Sequence, residues 1–137
     1  MHLLAQLIKS KLGLEIFTVD IGGWDTHINQ GVIEGQMPRL LSDLSKSLNA
    51  FYQNMGEGMK RITVVTMSEF GRRAAENRGG GTDHDHGNVM FMIGKNIYGG
   101  KVYGQWPRLA RKDLAGPGDV AITMDFRTVL AEIVKGV

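Results

Sequence analysis

Apolar residues recur at helical spacing in three segments of the chain. The longest segment is Met37 to Met55, where an apolar stripe continues for about five turns and Pro38 suits the first turn. The same spacing predicts two shorter helices, at 2–12, ended by Gly13, and at 126–134, capped by Thr123 or Asp125.

Short runs of apolar and β-branched residues between these helices predict β-strands. Buried strands are predicted at 14–19, 61–67 and 89–93, and a more exposed strand or hairpin arm at 97–103. The order helix, strand, helix, strand, strand, helix indicates an α/β layer sandwich. Ligands of such folds bind beyond the carboxyl ends of the strands, which is where residues 20–27 and 68–73 fall.

Size and composition limit the class of protein. A chain of 137 residues with 42% hydrophobic residues suggests one globular domain or a piece of one. The net charge of +2 comes from 16 basic and 14 acidic residues, so nucleic acid binding is not implied. We find no apolar run of about eighteen residues and no signal-peptide pattern, which indicates a soluble chain without a membrane span or an export signal.

Aspartate and histidine are concentrated in two short segments of the chain. Residues 79–88 hold two of the four histidines, and residues 24–27 hold a third next to another carboxylate. The alternative is that these segments are polar, solvated loops whose histidines bind no metal. Cysteine is absent, so any metal must be bound by imidazole and carboxylate groups. The predicted metal ligands are Asp25, His27, Asp83, His84 and His86, with Glu69 as a further candidate.

The ligand types indicate the metal and its chemistry. Imidazole and carboxylate together suit a divalent ion such as Zn²⁺ or Mn²⁺, which can polarise a phosphoryl or sulfuryl oxygen. Arg72 and Arg73 lie close to the ligands in sequence and are the predicted binders of an anionic substrate. Their alternative role is that of solvated loop charges. Glu69 has a similar alternative, as a loop carboxylate paired with Arg72.

Five motifs carry a family resemblance, and they cover nearly the whole chain. In order they are Gly23-Trp24-Asp25-Thr26-His27, Ser68-Glu69-Phe70-Gly71-Arg72, residues 81–88, residues 99–104 and residues 125–130. Together they resemble the C-terminal part of domain-of-unknown-function family 1501, a bacterial family that is usually exported by the twin-arginine route. The family is similar to the alkaline phosphatase and sulfatase superfamily, which hydrolyses phosphate and sulfate esters at one or two metal ions.

The resemblance implies a three-layer α/β sandwich of the alkaline phosphatase type. Residues 1–137 would be the C-terminal segment of that single domain, and the protein would be exported or periplasmic. The nucleophile would lie in an upstream segment, so no catalytic residue is assigned here. The substrate would be a small anionic ester, and nothing indicates an oligomeric state.

The resemblance leaves alternatives open at individual residues. Asp25 and His27 resemble the superfamily's aspartate-to-histidine ligand step, whereas Glu69 and Phe70 stand where the superfamily has an Asp-His pair. Residues 83–86 either supply that pair or correspond to the later histidine that precedes another strand. Two functions follow: a metal-dependent ester hydrolase, or a non-catalytic metal-binding or interaction domain.

Overall fold

Three α-helices and four short β-strands form the regular structure of residues 2–135, the part of the chain that the computed structural model describes. The helices are α1 (His2–Lys9), α2 (Gln36–Met55) and α3 (Phe126–Lys135). The strands are β1 (Thr63–Val65), β2 (Gly71–Arg72), β3 (His84–Asp85) and β4 (Met92–Gly94). Two 3₁₀ turns occur, at Gly56–Arg61 and at Arg111–Asp113.

The three predicted helices all form, and their ends have identifiable causes. Helix α2 is 20 residues long and carries the predicted stripe. Helix α1 ends earlier than predicted because Lys11, rather than Gly13, is the first residue with a positive φ, at 56°. The Asp125 carboxylate accepts a hydrogen bond from the Arg127 backbone N–H at 2.9 Å, so Asp125 caps α3.

The core lies where α1, α2 and the following 3₁₀ turn meet. Its buried side chains are Ala5, Phe51, Met55 and Met59, with Ile93 among the partly buried residues packed against it. Many large apolar side chains elsewhere are exposed to solvent, including Ile16 at 85%. None of the helices in residues 2–135 is long and apolar enough to cross a membrane.

Two small antiparallel sheets connect the loops. Strand β1 pairs with β4, with Val64 opposite Ile93. Strand β2 pairs with β3, with Arg72 opposite His84. The first sheet packs on the core, and the second lies in the segment that carries the predicted ligands.

The strand predictions are only partly correct. The predicted strands at 61–67 and 89–93 are reduced to β1 and β4, and β4 is displaced towards the C-terminus. The predicted strands at 14–19 and 97–103 do not form within the described part of the chain. Residues 14–19 are apolar on both faces, but a strand requires hydrogen bonds to a neighbour, and no described segment pairs with them.

The fold class is therefore a mixture of helices and small antiparallel sheets. The described residues do not form the sheet of buried strands that the three-layer alkaline phosphatase-type sandwich would contain. That finer architecture stays a prediction. The predicted ligand loops nevertheless come together, through the β2–β3 ladder and a bridge between Ile28 and Gly80 rather than through the carboxyl ends of a parallel sheet.

Candidate metal centre

Two backbone pairings bring the histidine-bearing segments together. In the β2–β3 ladder Arg72 lies opposite His84. An isolated antiparallel bridge joins Ile28 to Gly80, and it is supported by hydrogen bonds from the N–H groups of residues 29 and 30 to the carbonyl oxygens of residues 79 and 80. Residues 25–30 are thereby held against residues 79–84. His27 and His84 reach the same point from loops 57 positions apart.

Two glycines permit this close approach of backbones. A Cβ atom added to Gly81 would lie 2.3 Å from the carbonyl carbon of His27, and one added to Gly71 would lie 1.7 Å from the carbonyl oxygen of Gly87. Any side chain at either position would push the two ligand-bearing segments apart. Glycine is therefore required at both positions because a side chain would clash with the opposite backbone, and not because of a positive φ.

Three donor atoms converge at the centre of the site. The Nε2 atom of His84 lies 2.7 Å from Asp25 Oδ1, and the Nε2 atom of His27 lies 2.9 Å from the same oxygen. The two Nε2 atoms are 3.1 Å apart. Ligands that bind one ion through bonds of about 2.0 to 2.2 Å must lie within about 4.4 Å of one another, and these three atoms do. Their side chains are 40–54% exposed, so solvent reaches them.

When the His27 ring is neutral, one of its two tautomers leaves two electron-rich atoms facing each other. Its Nδ1 atom lies 3.3 Å from Asp83 Oδ1, and a proton there makes the hydrogen bond to that carboxylate. A neutral imidazole then carries a lone pair on Nε2. That lone pair faces Asp25 Oδ1 at 2.9 Å with no hydrogen between them. A cation would bind both lone pairs, so the donor set of Asp25, His27 and His84 fits a divalent metal.

Asp83, a predicted ligand, lies behind the cluster rather than in it. Its carboxylate contacts the far side of the His27 ring, at Nδ1. The Asn77 side-chain amide donates to the same Asp83 oxygen at 2.9 Å. The structure thus places Asp83 as the residue that orients His27, a role that carboxylates commonly have beside metal-binding histidines.

The pKa values of the two carboxyl groups respond to these contacts. The hydrogen bond from His84, followed by that from Arg72, lowers the pKa of Asp25. The hydrogen bond from Asn77, followed by that from His27, lowers the pKa of Asp83. Both groups are therefore held in the charged form, which is the form that binds a cation or a protonated histidine.

Arg72 contacts the predicted ligands directly. One guanidinium nitrogen donates to Asp25 Oδ1 at 2.8 Å, and Nε donates to the Thr82 hydroxyl at 2.9 Å. The side chain is 17% exposed. Arg72, a predicted substrate binder, thus holds Asp25 in place. Arg73, the other predicted substrate binder, lies with its Nε atom 3.2 Å from Asp119 Oδ1, away from Asp25.

His86, another predicted ligand, belongs to a different group of side chains. Its ring is 82% exposed and lies 3.7 Å from Asp119 and 3.9 Å from Asp85. These three residues are also close enough together to hold an ion. The Asp85 carboxylate, however, accepts hydrogen bonds from the backbone N–H groups of residues 86, 87 and 120. Asp85 therefore serves to anchor the loop.

A groove of about 450 Å³ opens beside His84. The Phe70 ring stacks on the His84 ring with centroids 4.1 Å apart and an angle of 16° between planes. Glu69, the further candidate ligand, lines this groove and lies outside the three-atom cluster. The groove continues over Ile122 and Phe126. It gives a small molecule access to one side of the candidate centre.

Sequence reasoning missed several residues that build the site. Asn77 bonds to both ligand loops, and Gln30 accepts hydrogen bonds from the hydroxyls of Thr26 and Thr82. Asp119, which lies 3.7 Å from His86, is a third such residue. An asparagine side chain often accepts a hydrogen bond from the backbone N–H two residues later. Asn77 followed by Gly79 fits this pattern, so the turn at Asn77 could have been predicted. Nothing in the sequence indicated the bonds between residues 50 positions apart.

Comparison with known families gives one result for nearly the whole chain. A family described as "Protein of unknown function (DUF1501)" matches residues 2–133. Searches of curated proteins and of solved structures gave no match. The matched region includes both ligand-bearing loops, and it covers 132 of the 137 positions, counted from 2 to 133 inclusive. The chain therefore belongs to domain-of-unknown-function family 1501.

Proposed function

We propose that this chain is a metal-dependent hydrolase domain that acts on phosphate or sulfate esters. One observation carries the proposal: a carboxylate oxygen and two imidazole nitrogens converge at 2.7–3.1 Å. Asp25, His27 and His84 would hold a first-row divalent ion such as Zn²⁺ or Mn²⁺. When bound, such an ion polarises an ester oxygen and stabilises the charge that develops in hydrolysis.

The surrounding residues keep the three donors in place and admit substrate. Arg72 holds the Asp25 oxygen, and Asp83 holds the His27 ring. Stacking on Phe70 restricts the His84 ring, and both rings line the groove. The groove has room for a small ester next to His84, with apolar surface from Ile122 for its organic part.

The nearby hydroxyl groups are already engaged. The Ser68 hydroxyl donates to the Phe70 carbonyl at 2.8 Å, and the Thr82 hydroxyl donates to Gln30 at 2.9 Å while accepting from Arg72. Neither is a free nucleophile at the donor cluster. Since a well-positioned nucleophile contributes about 7 to 11 kcal/mol, we expect the 137-residue chain alone to hydrolyse esters slowly. The upstream nucleophile and the exported location both stay predictions from the family resemblance.

A non-catalytic metal-binding domain is the second candidate function. The engagement of both hydroxyls favours it, as does the pairing of Arg72 with Asp25, because Nε and Nη1 of that arginine are already bonded within the protein. Such a domain would bind the same ion at the same three donors. It would show no metal-dependent turnover, even in a longer form of the protein.

Hydrolysis assays distinguish the two functions. Aryl phosphate, phosphodiester and aryl sulfate substrates are tested with Zn²⁺, Mn²⁺ and Mg²⁺, using this chain and an upstream-extended version. We expect turnover by the extended version that requires metal and is lost in H84A but kept in H86A. Metal binding without turnover on any substrate by the extended version would favour the non-catalytic function.

A further inference from the structure

Asn77 uses all four hydrogen-bonding positions of its side-chain amide. Its Oδ1 atom accepts from the N–H groups of Gly79 at 2.8 Å and Gly81 at 3.1 Å. Its Nδ2 atom donates to the His27 carbonyl at 3.0 Å and to Asp83 Oδ1 at 2.9 Å. Two N–H donors on one side and two oxygen acceptors on the other leave only one orientation of the amide with no clash.

These bonds connect the two loops that supply the donor cluster. The oxygen side holds the glycine loop at 79–81, and the nitrogen side reaches His27 and Asp83. The Asp83 oxygen that Asn77 holds is the one facing His27 Nδ1. A carboxylate fixed there favours a ring proton on Nδ1, and that tautomer turns the lone pair of Nε2 towards the other donors.

We propose that Asn77 is a positioning residue of the candidate metal centre, acting through Asp83 on the orientation and tautomer of His27. The proposal rests on the proposed function, in which Asp25, His27 and His84 hold the metal ion. The four bonds of Asn77 go to the loop, to the His27 backbone and to Asp83, so its effect on His27 Nε2 is indirect. A residue of this kind typically changes metal affinity by about 10- to 100-fold when it is lost.

The N77D variant separates this role from that of a loop clamp. Aspartate keeps an oxygen for the N–H groups of Gly79 and Gly81 but loses both N–H donors, and it places a second carboxylate against Asp83. The D83A variant removes the contact with the His27 ring and leaves the bonds of Asn77 to the glycine loop and to the His27 carbonyl in place. N54D is the matched control, because Asn54 is an exposed asparagine on α2 that accepts from Lys9.

Metal affinity is measured by Co²⁺ titration, following the visible absorption of the bound ion, and by competition with Zn²⁺. We expect N77D and D83A each to weaken binding by about 10- to 100-fold and to change the Co²⁺ spectrum. The double variant should bind no more weakly than either single variant, because both changes break one chain of contacts. N54D should bind as the unmodified chain does. Unchanged affinity in N77D, or additive losses in the double variant, would overturn the proposal.

Nitrogen NMR of the His27 ring supplies a readout that needs no metal. At about pH 8, where an ordinary imidazole is neutral, Asp25 and Asp83 compete for the single ring proton of His27 in the metal-free chain. We expect the fraction of that proton on Nδ1 to fall in N77D and in D83A. The same Nδ1 fraction in the unmodified chain and in N77D would refute the proposal whether or not metal binds. If N77D does not fold, unchanged affinity in D83A would also refute it.

These measurements separate this proposal from the proposed function. Metal binding with the expected variant effects, but no ester hydrolysis, would remove the hydrolase and leave the role of Asn77 standing. Ester hydrolysis that is unaffected by N77D, together with unchanged Co²⁺ affinity, would support the hydrolase and remove the proposed role of Asn77.

Discussion

Replacing Asp85 by asparagine should destabilise the chain. The side chain of Asp85 is fully buried, and its two oxygens accept three backbone hydrogen bonds. One oxygen accepts from His86 and Gly87, and the other accepts from Val120. The carboxylate therefore ties the end of β3 to a segment 35 positions away. Because β3 also carries His84, the same bonds help to hold a predicted metal ligand.

The size of the effect follows from the number of bonds that D85N can keep. If the new amide group faces Val120, one hydrogen bond is lost and two N–H groups face each other; in the opposite orientation two bonds are lost. A hydrogen bond to a charged group contributes about 1.5 to 3 kcal/mol, and a buried unsatisfied donor costs about 1 to 3 kcal/mol. We therefore expect a loss of about 3 kcal/mol, equivalent to a fall in Tm of about 10 °C for a chain of this size.

Thermal unfolding of the metal-free chain, followed by circular dichroism, measures this loss. The matched control is D43N, which makes the same chemical change at an exposed position on α2 and should leave Tm unchanged. Co²⁺ affinity should also fall in D85N because His84 loses its anchored neighbour. A Tm for D85N within about 2 °C of the unmodified chain, as D43N should show, would mean that the buried carboxylate does not anchor this loop.

Three further predictions concern the core, the last helix and the close backbone contact. F51A should lower the free energy of unfolding by about 3 kcal/mol, because Phe51 is 3% exposed in the main core. F51L should lower it much less, and denaturant titration of both variants measures the difference. The Arg127 side chain, followed by its backbone N–H, lowers the pKa of Asp125 to about 2 from 3.8. The charged Asp125 carboxylate should therefore stabilise the fold fully above about pH 5, and this stabilisation should be lost as the pH falls towards 2. The Tm difference between the unmodified chain and D125N should shrink over that range. G81A should lower both Tm and metal affinity, whereas G99A, whose added methyl group meets open space, should change neither.

The sequence predicted long-range organisation best where a pattern was long. The stripe from 37 to 55 spans enough turns to identify α2, and Asp125 offers a side chain that caps α3. Strands were predicted less well, because a strand forms only with a partner. Residues 14–19 have the composition of a buried strand but find no partner among the described residues, while β2 and β3 are two residues long and too short to show a period.

The composition of the site was predictable, but its internal roles were not. The density of Asp and His identified both loops, and the structure brings Asp25 within 2.7 Å of His84. Which of the neighbouring residues face the cluster depends on the β2–β3 register and on where β3 ends. That register places His84 at Asp25, leaves His86 beside Asp119, and puts Asp83 behind His27. No local pattern encodes such a choice.

The metal content of the chain tests the central claim most directly. The unmodified chain, H84A and H86A are purified without chelator, analysed for bound elements, and melted with and without excess Zn²⁺ or Mn²⁺. We expect one first-row divalent ion per chain in the unmodified protein and in H86A, and its loss in H84A. Ion at 100 times its Kd should stabilise the binding forms by about 2.7 kcal/mol. An unmodified chain without bound metal and with the same Tm in excess ion, or loss of metal in H86A but not in H84A, would contradict the assignment of Asp25, His27 and His84 as the metal centre.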